Sequence, residues 1–324
     1  MGNKGSKTTL DVKVRPYGTK RESILNYRKE TRIFDVENYE RAVQVRKVIT
    51  DLEDRQFRIK SYKKYVLILA TYLMAIVFAE IVTAYYNAGY GLTIHAIVLF
   101  SLLVNSSISH SSRFSNLLRS MMILPIIRII GLTMPIMQVK ELYWFPVIAI
   151  PLFAASYTLM RSQKLTRKRV GLILGNIPLQ LTVALSGVIL GFIEYLILRP
   201  QALISTFDMG TVLFASIILI ISTGFAEELL FRGILQTNAE KVLGNTFGLF
   251  YIALLFTALH IGWNSTLDLI FVFSVAIFYG YTFQKTKSLL GITLSHGISN
   301  TFLFLIVPFI FPALIYYINT VLFW

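Results

Sequence analysis

Along most of this chain the residues are predominantly apolar in windows of about 20 positions, the length a helix needs to cross a hydrocarbon core of about 30 Å. Such windows fall at 65–86, 92–108, 121–137, 143–160, 170–198, 211–234, 247–261, 267–283 and 289–306. The run 309–324 is a candidate tenth, with Pro308 and Pro312 obscuring its start. Helices and closed barrels alone satisfy every backbone hydrogen bond in lipid. Windows of this length therefore predict an all-α, polytopic transmembrane helical bundle of about 8–10 spans.

The stretch 35–64 shows a helical period. It has no Pro or Gly, and Val36, Tyr39, Val43, Val48, Leu52 and Phe57 recur every few positions among charged residues, which predicts an amphipathic helix. Residues 1–34, with Gly, Pro and scattered charge, read as loose. Composition sharpens this division. Residues 1–64 hold 17 Lys and Arg against 9 Asp and Glu, and the remaining 260 hold 14 against 8. Overall 55% of residues are hydrophobic and 15% charged, where a soluble domain carries about 25% charged residues. The chain thus joins a basic amphipathic N-terminal extension, 1–64, to a body whose solvent is lipid, beginning with N-terminal transmembrane helices at 65–169.

Charge also orients the body. With the N-terminus in the cytoplasm, Arg113, Arg119, Arg161, Lys164, Arg167, Lys168, Arg169, Lys241, Lys285 and Lys287 fall on the inner side, and only Lys140 and Arg199 on the other. A basic inner face implies anionic lipids of the bilayer as partners. It carries no fold signature for nucleic acid. The absence of cysteine excludes disulfides, thiolate metal sites and a cysteine nucleophile. No apolar signal-peptide core occurs near the start. Residues 1–6 fit the N-myristoylation pattern, but so short a match arises by chance and a multi-pass chain needs no lipid anchor.

Against this background the charges inside the apolar windows need a reason, since each costs about 2.5–3.5 kcal/mol near a helix centre. "GFAEELLFRG", 224–233, holds Glu227, Glu228 and Arg232. Glu228 and Arg232, at i,i+4, can pair on one helix face, leaving Glu227 about 100° away. Phe256 and His260 in "FTALH" and His296 and Asn300 in "HGISN" show the same spacing on later windows. Glu, His, His and Asn from three spans can therefore converge on one interior point. The other polar residues have plainer readings. Arg128 and Glu80 suit a salt bridge across helices, and Glu194 and Arg199, near a helix end, would snorkel to the interface. His95 and His110 have no partner pattern and read as interfacial, as do Tyr85, Tyr86, Tyr143, Trp144 and Trp263. Gly171/Gly175 and Gly187/Gly191, both within the fifth window, have the small-residue spacing that lets helices approach closely.

E-E-x-x-x-R, then F-x-x-x-H, then H-x-x-x-N, in this order on successive apolar windows, resembles the CAAX-protease and bacteriocin-processing family of intramembrane endopeptidases, which includes the type II CAAX prenyl protease. The resemblance covers about 170–310 and marks 170–324 as a protease-like domain. It implies that Glu227 with His260 positions and deprotonates a water, and that His296 and Asn300 donate to the oxyanion. Glu228 and Arg232 would hold Glu227 in place. It further implies a peptide or protein substrate presented at the membrane: a C-terminal tail, prenylated or not, or a small peptide such as a bacteriocin leader. The basic inner face suggests that this substrate is reached from the cytoplasm.

A zinc reading uses the same side chains, with His260, His296 and Glu227 as a His₂Glu shell. The lack of H-E-x-x-H favours the form without a cofactor. A non-enzymatic transporter or a scaffold with the same buried cluster is the alternative. Depth raises a difficulty. His260 lies at the far end of its window, so residues 233–246 must dip back into the bilayer, or that helix must start deeper, for the site to close.

Overall fold

In a computed structural model the chain is described over residues 20–134 and 140–312, without the side chains of 20–38, 42 and 49–61. The myristoylation pattern and most of the candidate tenth span lie outside the described residues. The chain forms two units, 1–61 and 62–324. In the first, helix begins at Lys20, so 20–34 is helical where a loose segment was expected. The described apolar positions Tyr39, Val43 and Val48 of its expected amphipathic face are exposed.

The second unit is an all-α bundle, with no strand among the described residues. Among these residues nine helical segments are long and apolar enough to cross a membrane. They are Tyr62–Tyr85, Ala88–Ile108, Ser112–Thr133, Glu141–Ser162, Ile177–Leu198, Met209–Leu243, Asn245–Trp263, Thr266–Thr286 and Leu290–Pro312, here spans one to nine. Polar caps start many of them by accepting the orphan backbone N–H groups of a first turn. Asn87 accepts from Tyr90, Asn176 from Leu179 and Ser265 from Asp268. At the start of span six the Thr211 backbone N–H, together with the Thr206 hydroxyl, holds the carboxyl of Asp208 below the usual carboxylate range.

Span six departs most from expectation. It runs 35 residues, about 52 Å at 1.5 Å per residue, well past the Ile234 end suggested by hydropathy. Residues 233–243 do not dip back; they stay helical until Gly244, whose φ of +83° turns the chain into span seven. Glu227 lies 17 residues before Gly244 and His260 16 after it, so the antiparallel pair brings both to one level. Span five is shorter than its window. Gly171 (φ +81°) and Gly175 (φ +67°) precede it in left-handed turns and are not on a helix-packing face.

Gly187 and Gly191 do pack helices. A Cβ on either would stand 2.2 Å from a span-nine carbonyl, that of Ser295 or of Ser299. On the other side of span nine, a Cβ on Gly224 would meet the Thr293 carbonyl at 2.5 Å, and one on Gly297 would meet Ile220 at 2.6 Å. Spans five, six and nine therefore touch backbone to backbone around His296. Gly187→Leu is expected to lower stability in detergent by about 1–3 kcal/mol or more, the usual cost of overpacking. Gly131→Ala, where the nearest atom is 3.9 Å away, should leave it unchanged or raised; thermal unfolding of the two variants checks the contrast.

Candidate active site

Span six carries its two glutamates on a short α-helical piece, Ala226–Glu228, between π-helical segments Ile220–Phe225 and Leu229–Gln236. Such segments are frequent at functional sites. Glu228 is completely buried and Glu227 is 30% exposed at its side chain. The two neighbours thus do different things.

Glu228 Oε1 accepts from Arg232 Nη1 at 2.8 Å and from His296 Nδ1 at 2.8 Å. Arg232 is itself buried, its guanidinium 4.6 Å from the Phe256 ring centre and 5.6 Å from that of Tyr279. The pair expected to steady Glu227 therefore grips His296. A carboxylate can only accept, so His296 carries a proton on Nδ1, and its Nε2 points toward Glu227 Oε2 at 4.0 Å.

His260 lies in span seven between its α-helix, Asn245–Ala258, and the 3₁₀ turn Ile261–Trp263 that ends it. Its Nδ1 lies 2.9 Å from the Phe256 carbonyl. A carbonyl also only accepts, so the proton sits on Nδ1 and Nε2 keeps a free lone pair. The Phe256 ring lies 4.8 Å from the imidazole, and Phe231 meets Phe256 edge-on at 4.8 Å. Asn300 Nδ2 donates to Thr223 Oγ1 at 2.8 Å, and that hydroxyl donates in turn to the Leu219 carbonyl at 2.6 Å.

Glu227, His260, His296 and Asn300 line one cavity of about 670 Å³, with Glu228 and Arg232 packed behind it. The cavity also holds residues without an expected role. Thr223 sits four before Glu227 on the same face, a spacing that could have flagged it. Tyr279 lines the wall and bonds Ser295 at 3.0 Å, and Ser295 reaches Ser186 at 2.9 Å. Glu194 does not snorkel. It lines the cavity, with the Ser299 side chain in hydrogen-bonding reach.

Arg128, from span three, is also in the wall and pairs with Glu80 as expected. The other carboxylate oxygen of Glu80 stands 3.3 Å from His95 Nε2. His95 is fully buried, which corrects its interfacial reading. His110 is exposed in the turn after span two. As to zinc, among the described residues no group of three His, Asp or Glu side chains is arranged to hold a metal ion.

Residues 209–302 match the family model described as type II CAAX prenyl endopeptidase Rce1-like, in agreement with the family that the motifs resemble. The match spans all seven motif residues, from Glu227 to Asn300. It supports an intramembrane endopeptidase of CAAX type in general and, with the apolar helices, an integral membrane protein. No curated protein and no solved structure matches the chain.

Arg232→Met, which keeps bulk but strips Glu228 of its guanidinium, is expected to cost about 3–5 kcal/mol of stability. Glu228→Gln in the same background should recover part of it, because the stranded charge disappears. Chemical unfolding of the single and double variants reads the difference.

Proposed function

We propose that this protein hydrolyses a peptide bond in a membrane-associated peptide, prenylated or not, with Glu227 and His260 activating a water and His296 and Asn300 binding the oxyanion. What supports this above all is the single cavity lined by an accessible carboxylate, an imidazole with a free Nε2, and two donor side chains on span nine. A water between Glu227 and His260 Nε2 loses its proton to the carboxylate as its oxygen adds to the scissile carbonyl. The tetrahedral oxyanion then accepts from the second amide hydrogen of Asn300 and from His296 Nε2–H. That second donor requires the doubly protonated ring, whose charge is balanced by Glu228 at 2.8 Å and, once Glu227 has taken the water's proton, by the oxyanion itself. Collapse breaks the C–N bond, and Glu227 returns its proton to the leaving amine.

Burial of Glu228 and Arg232 behind His296 fixes the ring before substrate arrives, which removes reorganisation from the reaction. The basic connections between spans would rest on anionic headgroups of the cytoplasmic leaflet. This is a metal-free mechanism carried by side chains alone.

Glu227→Gln and His260→Ala are each expected to abolish cleavage of a membrane-presented peptide while the purified protein keeps its unfolding temperature. Persistent hydrolysis in both would end the assignment of Glu227 and His260 as the water-activating pair. Asn300→Ala should lower kcat about 10²–10³-fold, the scale for one oxyanion donor. Purified, active protein should contain no stoichiometric metal by elemental analysis and keep its rate after a chelator; zinc at one per chain with chelator-sensitive activity would overturn the metal-free form.

A further inference from the structure

The cavity and the basic connections occupy opposite ends of the bundle. Spans alternate in direction, so the connections at 109–111, 163–176, 244 and 287–289 lie at one end and those at 86–87, 199–208 and 264–265, with Met134 and Lys140, at the other. The first end carries Arg113, Arg119, Arg161, Lys164, Arg167, Lys168, Arg169, Lys241, Lys285 and Lys287; the second carries Lys140 and Arg199. The cavity wall takes Glu141, Trp144, Pro200, Gln201, Leu203 and Trp263 from the second end, and no residue from the connections at the first. Glu141, Gln201 and Trp263 are exposed, so the cavity reaches the surface there.

Arginine and lysine in short connections are retained on the cytoplasmic side. We propose that the active site opens on the exoplasmic side of the membrane, and that its substrates are exported or membrane-spanning peptides reaching it from there rather than cytoplasmic tails. This replaces the expectation of cytoplasmic access. It rests on the proteolytic reading only for the word substrate, since the position of the mouth is independent of the chemistry inside. The mouth suits such a ligand. Phe145 and Trp263 flank Phe304 at 6.4 and 6.0 Å between ring centres, an aromatic rim at the level where an apolar peptide leaves the lipid.

The absence of cysteine makes the test direct. Gln201→Cys and Leu203→Cys at the cavity, and Arg167→Cys and Lys168→Cys at the basic end, are exposed to a membrane-impermeant charged methanethiosulfonate on intact spheroplasts and again after permeabilisation. The expected result is reaction of the two cavity variants in intact spheroplasts and of the two basic-end variants only after permeabilisation. The reverse pattern, or equal reaction of both pairs before permeabilisation, overturns the proposal. The labelling is read whether or not the chain hydrolyses anything, so loss of activity in no variant, or in every variant, leaves this outcome intact. Repeating it on Glu227→Gln separates the two questions: unchanged labelling with no cleavage supports both readings, and reversed labelling overturns the access side alone.

Discussion

The carboxylate of Glu228 has no contact with solvent, and the geometry around the site follows from keeping it from being alone. A charge stranded in such surroundings costs several kcal/mol. Arg232 supplies one partner from the same helix, one turn on, and so asks nothing of the tertiary structure. The second partner, His296, comes from span nine and must arrive at the right height and rotation. The glycines do this: Gly187 and Gly191 seat span five against the carbonyls of Ser295 and Ser299, and Gly224 and Gly297 let spans six and nine meet. Once Nδ1 of His296 is committed to Glu228, its Nε2 has one direction left, toward Glu227. A buried ion pair thereby orients an atom that faces the cavity.

The other side of the bundle repeats the device. Glu80, fully buried, stands between Arg128 and His95, joining spans one, two and three. Arg128 reaches the cavity wall from there, and spans four and five add Trp144, Phe145 and Glu194. The family match begins at Met209, so part of the wall, from Ile127 to Leu203, is built by residues outside it. The matched segment holds the seven motif residues, while the surrounding spans shape what can approach them.

How much was legible in the sequence depended on the range of the interaction involved. Glu228 with Arg232 and Phe256 with His260 are four-residue relations within a helix, and both contacts are present as spacing implies. The Arg128–Glu80 pair was legible because two opposite charges in apolar windows leave few alternatives. His95 was not, since its partner belongs to another helix and a lone histidine carries no period. Glu194 was misplaced for a related reason. Proximity to a helix end means water only if that end faces solvent, and here it borders a cavity. The sixth window was cut short at Ile234 because hydropathy stops at Gln236, Thr237 and Asn238, whereas backbone hydrogen bonding continues through them to Leu243.

The π-helical segments had no signal in the sequence at all, yet they solve a problem of rotation. An α-helix has 3.6 residues per turn, so a step of four overshoots a full turn by about 40°, and two such steps carry a side chain well off the starting face. Thr223, Glu227 and Phe231 are two such steps apart and all three line the cavity. The wider i→i+5 turns at Ile220–Phe225 and Leu229–Gln236 rotate less per residue and offset that drift. Span nine shows the same pattern, with His296, Asn300 and Phe304 on the cavity and a π-helical segment at Phe302–Ile306. Helices that must hold several functional groups in one line through the depth of a membrane gain by departing from the regular pitch, and among the described residues the two spans that do so are the two that carry the carboxylates, His296 and the amide.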